Sequence, residues 1–421
     1  MWGRLDGEYR WFEEGRLKTI RAIYVDRDIP KALLVNALRG IWPGVVFSPL
    51  SPSRFADIPE PELPGPRWIR VENQQCGICA SDLSLFFVPA DPHIAQLALP
   101  GSPRIYLGHE VLGHVVQVGP GVTQVQVGDR VIVDTRFQCP TCLSQEIEPL
   151  CPHCAEGNYV RCENASADIG PHGVGGGWGG GFTAHETEVY RVPDDLPDDP
   201  AMMVEPISTG VRAVLRRPPE AGQKVLVVGG GTMGLNMVQC LRALAPDCHV
   251  TIATRHLHQA EMARRFGADE ITVDEDGYQT TARVTGANLY QGMFHNRMLL
   301  GGFDVIYDCV GSAQSLQDSL RWVRAGGSVV LIGVNLSRFK LDLNPIWYQE
   351  VDLVGVYAHG VEPWQGVLRH TYDVVIDLMR QGKLTADEFI THRFPLSEWR
   401  QAIATANDKR SGSIKVVFDY R

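Results

Sequence analysis

Positions 225 to 244 constrain this chain more than any other stretch. Val225-Leu-Val-Val228 is wholly apolar, as suits a strand buried on both faces of a parallel sheet. A glycine turn follows, Gly229-Gly-Gly-Thr-Met-Gly234, and then a segment of helical period from Leu235 to Leu244. Strand, G-x-G-x-x-G and helix in that order point to a dinucleotide site. Gly229 allows the tight turn, Gly231 lets backbone approach a pyrophosphate, and Gly234 lets helix and strand pack closely. Thr232 and Met233 complete the loop, where free N–H groups at the helix start meet the phosphates. Further strands are expected at Val250-Thr-Ile-Ala253, Asp304-Val-Ile-Tyr-Asp308 and Ser328-Val-Val-Leu-Ile332, with helical stretches between. That alternation predicts a doubly wound α/β unit over 206–355.

The end of the second strand bears on cofactor choice. An NAD site would place Asp or Glu there to accept from the ribose 2′-OH. Here the residues are Thr254 and Arg255. A hydroxyl and a guanidinium suit a 2′-phosphate, so NADP is expected in preference to NAD.

Before position 206 the pattern is mostly β. Thr19-Ile-Arg-Ala-Ile-Tyr-Val25 has strand character. Pro59, Pro61, Pro64 and Pro66 mark a loop leading to Trp68-Ile-Arg-Val-Glu72, and short Val-rich runs alternate with glycine turns from 105 to 134. The run Gly170-Pro-His-Gly-Val-Gly-Gly-Gly-Trp-Gly-Gly-Gly181 lacks a preceding apolar strand and a following helix pattern, so a surface or cleft-rim loop is expected. Residues 278–301 are longer than one crossover helix needs. After about 355 an amphipathic helix around 369–381 and a last strand, Ser413-Ile-Lys-Val-Val-Phe418, are expected.

Two further stretches carry metal chemistry. Cys76-Gly-Ile-Cys-Ala-Ser-Asp82 is a glycine turn bearing a thiol, a hydroxyl and a carboxylate, and Tyr106-Leu-Gly-His-Glu-Val-Leu-Gly113 sets a histidine beside a glutamate. Zinc takes Cys sulfur, His nitrogen and carboxylate oxygen, and a catalytic site keeps a position open. Cys139, Cys142, Cys151, Cys154 and Cys162 then fall within one excursion. Four thiols close a tetrahedral structural site, so one is surplus. A zinc ribbon for nucleic acid is the other reading, but Glu146, Glu148 and Glu156 make this lobe acidic. The formal net charge of −10 also argues against a nucleic-acid surface. Cysteines grouped this way suit a reducing cytosol better than a disulfide framework. No apolar run is long enough for a membrane span, and the opening Met1-Trp-Gly-Arg-Leu-Asp-Gly-Glu8 lacks a signal-peptide core, so a cytoplasmic location is expected.

Taken together, these motifs make the chain resemble the zinc-dependent alcohol dehydrogenases of the medium-chain dehydrogenase/reductase superfamily. The resemblance runs from about Ile20 to the C-terminus. It rests on Cys79-Ala-Ser-Asp82, Gly108-His-Glu-Val-Leu-Gly113, Val127-Gly-Asp-Arg-Val131, the cysteine lobe, Gly229 to Gly234, Thr391-His-Arg-Phe-Pro-Leu396 and Ile414-Lys-Val-Val417. It implies a mostly-β GroES-like catalytic domain built from 1–205, with its zinc lobe at 139–162, and from 356–421. The Rossmann domain is inserted between, and the active site lies in the cleft. It implies one catalytic and one structural zinc, and a homodimer or homotetramer.

Carried over residue by residue, Cys79 and His109 are ligands of the catalytic zinc. Where part of the family has a third thiol, this chain reads Glu205-Pro-Ile-Ser-Thr-Gly210, which looks like the polyol and threonine dehydrogenase branch. There Glu110 can coordinate the metal, and Glu205 would hold the metal-bound water or exchange with Glu110. Thr209 is implied near the nicotinamide, Gly333 in the cofactor site and Lys415 near the cofactor phosphates. In the lobe, alignment from both ends favours Cys139, Cys142, Cys154 and Cys162, with Cys151 competing for the second place. Insertions at 30–55 and 285–300 depart from the family pattern.

The implied reaction moves a hydride between NADP and a secondary alcohol, polyol or sugar, with the reverse acting on a carbonyl. Ser81 would take the alcohol proton, and Asp82 would orient a zinc ligand. Phe86, Phe87 and Trp178 are candidates for the substrate cleft. The alternatives are a zinc-free quinone or enoyl reductase of the same superfamily, and a non-catalytic NADP-binding sensor.

Overall fold

The computed structural model describes residues 19–87, 104–134, 140–165 and 172–421. Lys224–Val228 forms the expected buried strand and leads through the glycine turn into the helix Thr232–Leu244. Val225 and Val227 face one core, while Leu226 and Val228 face another on the opposite side of the sheet, as alternation along a strand requires. Six strands form this parallel sheet, in the order Glu270–Val273, His249–Thr254, Lys224–Val228, Phe303–Asp308, Val323–Leu331, Asp352–Gly355. Strand order reverses between Lys224–Val228 and Phe303–Asp308, and in such sheets ligands bind beyond the carboxyl ends of the strands at that point.

The second large sheet is assembled from both ends of the chain. Trp68–Gly77, Val111–Val118, Arg130–Val133, Gly181–His185 and Val189–Arg191 come from the first half, and Ile390–Phe394 and Lys415–Asp419 from the last thirty-odd residues. Lys415–Asp419 pairs antiparallel with Trp68–Gly77, Val417 opposite Gly77. The architecture is therefore a GroES-like β unit around an inserted Rossmann unit. The helix Asp198–Arg216 runs straight through the expected boundary between 205 and 206, packing on the helices Thr232–Leu244 and Thr371–Arg380.

The insertions are ordered elements. Ile29–Leu38 is a helix capped by Asp28, Pro43–Phe47 is a short 3-10 turn, and Ser53–Pro59 pairs with Thr19–Asp26. The excess over one crossover at 278–301 is a hairpin, Asn288–Gln291 with Arg297–Leu300, following the helix Gly277–Thr285. A second hairpin, Val361–Trp364 with Val367–His370, precedes the helix Thr371–Arg380.

The glycine run before Gly181 differs from expectation. Gly170 and Pro171 lie outside the described residues, but Gly175 to Gly179 are buried. The run is glycine-rich because it presses against neighbouring backbone. A Cβ on Gly176 would stand 2.5 Å from the Leu107 carbonyl oxygen, and one on Gly177 would stand 2.4 Å from both Cys76 Sγ and Val111. Trp178 is fully buried, edge-on to Phe418 and tilted against Phe86. Trp178 and Phe86 are therefore core residues and do not line a substrate cleft. Overpacking of this kind costs about 1–3 kcal/mol. Gly177→Ala should accordingly lower the melting temperature measurably, and an unchanged melt would show that the packing here is slack.

Candidate active site

Cys79 ends the strand Trp68–Gly77 and its turn, and stands as the N-cap of the helix Ala80–Phe86. His109 and Glu110 occupy the loop between Arg104–Tyr106 and Val111–Val118. Gly108, with φ of +89°, turns the chain there; a side chain on it would meet Trp178 at 2.4 Å. Strand pairing then does the assembly: Cys76 lies opposite Val111, and the Gly77 N–H donates to the Glu110 carbonyl at 2.8 Å. As a result Cys79, His109 and Glu110 each present a ligand atom within 4.8 Å of the others.

His109 is held from behind. Its Nδ1 lies 3.3 Å and 3.2 Å from the two carboxylate oxygens of Asp82, and Asp82 Oδ1 also accepts the Gly108 N–H at 3.0 Å. That leaves Nε2 as the ligating atom, with the other nitrogen fixed by a carboxylate. Burial would lower the imidazole's pKa, but Asp82 and the Cys79 sulfur hold it well above the ordinary histidine value. The surroundings thus favour a positive charge at this point. Cys79 and His109 remain partly exposed while Glu110 is buried, so the trio is open on one side, as a catalytic metal site requires.

Glu110 has a second partner. The Lys415 ammonium, 3% exposed, donates to both its oxygens at 2.7 Å and 2.6 Å. Burial alone would lower Lys415, but Glu110 and the Cys79 sulfur more than offset it. In this structure the Lys415 side chain is committed to Glu110, while the carbonyl of the preceding Ile414 meets Thr232 of the cofactor loop. The strand of Lys415 runs against the one carrying Gly77, which aims the side chain at Glu110. Gly77 makes room for this pair, since a Cβ there would stand 1.9 Å from Glu110 Oε2. Glu205, buried on the helix Asp198–Arg216, lies beside the trio and outside its ligand spacing. Burial, offset in part by His109 and reinforced by Glu110, pushes its carboxyl up to about 7. Thr209 follows one turn later on the same helix. Ser81 lies in the first turn of the helix that Cys79 caps.

The cofactor loop has the expected shape. Gly229 has φ of +102°, and a Cβ on Gly234 would stand 1.7 Å from the Gly229 carbonyl oxygen. Gly231 caps the helix, and a side chain there would meet open space, leaving room for a phosphate. The Thr232 hydroxyl donates to the Ile414 carbonyl at 2.6 Å, and Met233 packs on the core, so these two offer only backbone N–H groups to a ligand. Thr254 is buried, and its hydroxyl donates to the Thr272 carbonyl at 3.0 Å. Its side chain is thus committed within the sheet, while Arg255 beside it is exposed. Gly333 packs against Gly311, where a Cβ would stand 2.2 Å from the Gly311 nitrogen.

In the lobe, the structure brings together Cys142, Cys151, Cys154 and Cys162, all buried and all reduced. Cys139 lies outside the described residues. Cys142 Sγ and Cys162 Sγ are 3.7 Å apart, close to the edge of about 3.8 Å for a tetrahedron with Zn–S near 2.3 Å. Four buried sulfurs, all within 4.8 Å of one another, fit a closed structural site. Cys151, which sequence alignment left competing with Cys142, stands in the set together with it.

A third grouping was not visible in the sequence, because its members are up to 236 positions apart: Asp134, His359 and His370. His359 Nε2 lies 2.5 Å from Asp134 Oδ1, and His370 Nε2 3.5 Å from Oδ2. Donors sharing one ion at about 2.1 Å stand roughly 3.4 Å apart, so the His359 contact is a hydrogen bond. Tyr372 completes the network. Its hydroxyl donates to the Val133 carbonyl, and its N–H donates to His370 Nδ1. That donation leaves the His370 proton on Nε2, facing Asp134 and unable to ligate. The group clamps the end of Arg130–Val133 to the segment that follows the Rossmann sheet.

Known proteins resemble this chain. Residues 65–194 match the family model for the alcohol dehydrogenase GroES-like domain, and 232–373 the model for zinc-binding dehydrogenases. A D-arabitol-phosphate dehydrogenase of Enterococcus avium is 28% identical over 356 residues, covering 83% of this chain and 89% of that protein. An L-threonine 3-dehydrogenase of Saccharopolyspora erythraea is 28% identical over 382 residues, covering 89% and 98%. The crystal structure of a 2R,3R-butanediol dehydrogenase from Bacillus subtilis shares the fold at a TM-score of 0.65, with 23% identity and coverage of 96% and 100%. A GroES-like unit closed around a Rossmann sheet, with a Cys-His-Glu trio beside it, is the architecture of an alcohol dehydrogenase-type oxidoreductase. The chain belongs to the zinc-type alcohol dehydrogenase family of the medium-chain dehydrogenases/reductases. Among the described residues, no helix is long and apolar enough to cross a membrane.

Proposed function

We propose that this protein interconverts a secondary alcohol of the polyol or sugar class and its carbonyl compound with NADP. One zinc ion would be held by Cys79, His109 and Glu110, and a second by Cys142, Cys151, Cys154 and Cys162. The convergence of the first three side chains within 4.8 Å carries this reading. A bound zinc ion would supply Lewis acidity, lowering the pKa of an alcohol hydroxyl toward neutrality. The chain's own residues do the rest. Asp82 keeps His109 Nε2 directed at the ion, and Lys415 limits how much negative charge Glu110 brings to it. Ser81, in the first turn after Cys79, accepts the proton of the alcohol and passes it outward. The backbone of Gly231 to Gly234 seats the cofactor diphosphate at the helix start.

Glu205 in place of a thiol, together with the polyol-acting relatives, supports the polyol branch. Zinc-independent reduction is less well supported, because a Cys-His-Glu trio braced by Asp82 has no use without an ion. Self-association is part of the same reading. Asp352–Gly355 is a sheet edge, with Trp347 and Tyr348 exposed close by.

Three measurements test this. Turnover of a panel of polyols, sugars and aryl alcohols with NADP should be abolished by a strong chelator and restored by zinc. Activity that survives complete zinc removal overturns the mechanism. Arg255→Asp should raise the KM for NADP by about tenfold or more, the worth of a charge-assisted hydrogen bond, while leaving NAD little changed. Equal losses for both would refute the cofactor preference. Cys151→Ser should remove one zinc per chain and lower the melting temperature, as metal assays and thermal denaturation would report. Full zinc content in that variant would return Cys139 to the lobe.

A further inference from the structure

Three consecutive residues at the start of the last strand reach three different parts of the site. The Ile414 carbonyl accepts the Thr232 hydroxyl of the glycine turn at 2.6 Å. The Lys415 ammonium donates to both oxygens of Glu110. The Val416 carbonyl accepts the N–H of Ile78, the residue before Cys79, at 2.9 Å. One short piece of backbone therefore joins the cofactor loop to Glu110 and to the neighbour of Cys79.

That piece has little freedom of its own. On its other side the Lys415 N–H donates to the Phe389 carbonyl at 3.0 Å, and the Ile414 N–H donates to the Thr391 hydroxyl at 3.0 Å. Lys415 and Val416 are also buried. A shift imposed at Ile414 is consequently passed on to its neighbours, because close-packed interiors transmit strain along hydrogen-bonded elements.

The Thr232 contact is not one that a helix start requires. The side chain that ordinarily caps a helix belongs to the N-cap, and here that residue is Gly231, which has none. Thr232 is only partly buried, so water could satisfy its hydroxyl. Instead the hydroxyl turns from its own helix to a carbonyl 182 positions later, on the other structural unit.

We infer that Thr232 is a positioning residue for the reaction: its hydroxyl links the seat of the cofactor diphosphate, through Ile414, Lys415 and Val416, to Glu110 and Cys79, so that cofactor binding and metal binding are coupled. This role rests on the reading of Cys79, His109 and Glu110 as a metal centre and of Gly229 to Gly234 as the cofactor seat. Backbone N–H groups hold the diphosphate with or without the hydroxyl. What the hydroxyl adds is registration between two sites on different units. Such coupling is reciprocal: if NADP alters the affinity for the ion, the ion alters the affinity for NADP by the same factor.

Calorimetric titration of NADP reads the coupling, on protein with zinc in the open site and again after mild chelation has emptied it, with a metal assay on each preparation. In the unaltered protein the two dissociation constants should differ about fivefold or more. Thr232→Val keeps nearly the same shape and removes the donor. It should bring that ratio close to one while leaving NADP binding to the zinc-depleted protein nearly unchanged, and Thr232→Ser should restore the ratio. With cobalt(II) in the open site, NADP should shift the visible spectrum of the unaltered protein and of Thr232→Ser, and shift it much less in Thr232→Val. Should the valine variant fail to fold, Thr232→Ala against Thr232→Ser reads the same difference. Zinc and NADP that both bind without influencing each other would overturn the role of Thr232 alone, whereas a trio that takes up no zinc would overturn it together with the proposed reaction. A ratio kept in Thr232→Val, with only the melting temperature lowered, would make the hydroxyl a local structural contact and overturn the role as well.

Discussion

The contact on which the active site depends is the buried pair between Glu110 and Lys415, residues 305 positions apart. Two charges removed from water are expensive, and their attraction repays the cost only with close geometry. Here the ammonium meets both carboxylate oxygens, so neither group is left exposed to the apolar interior. Because Lys415 sits on the chain's last strand and Glu110 beside the strand Val111–Val118, the pair fastens the C-terminal segment across the central sheet. Removing either partner would strand the other charge, which in comparable buried pairs costs about 3–5 kcal/mol. The same pair places a positive charge behind a candidate metal ligand, so architecture and electrostatics are set by one contact.

The two cysteine-bearing sites follow opposite logics from the same chemistry. The lobe buries four sulfurs within 4.8 Å of one another. At the cleft, a mixed set from Cys79, His109 and Glu110 is left partly exposed, with His109 braced by Asp82 and Glu110 by Lys415.

Local patterns were the most legible part of the sequence. The run Val225 to Gly234 dictates its own geometry, because an apolar strand, a positive-φ glycine and a helix start admit few arrangements. The motif pairs around Cys79 and His109 were equally clear, since antiparallel pairing brings Cys76 opposite Val111. What the sequence could not show were directions across long separations. The contact of Lys415 with Glu110 had no signal in the sequence, because 305 positions separate them and only strand register brings them together. The glycines from Gly175 to Gly179 looked like a loose loop, since composition does not distinguish backbone that is free from backbone that is crowded. Cys151 was ambiguous for a related reason: spacing counts residues, whereas the short helix Pro152–Ala155 folds Cys151 and Cys154 onto one point. The Asp134, His359 and His370 network has no local signal at all.

The helix Asp198–Arg216 has a consequence for how the molecule comes apart. It lies within one apolar interior that includes Leu112 and Ile132 from the β unit, Val225 and Val227 from the parallel sheet, and Tyr372 from the returning segment. Chains of two lobes usually melt in separate steps. With an interior held in common, loosening one lobe strips the cover from the other. Denaturation is therefore expected to be concerted, with neither half stable as a fragment by itself.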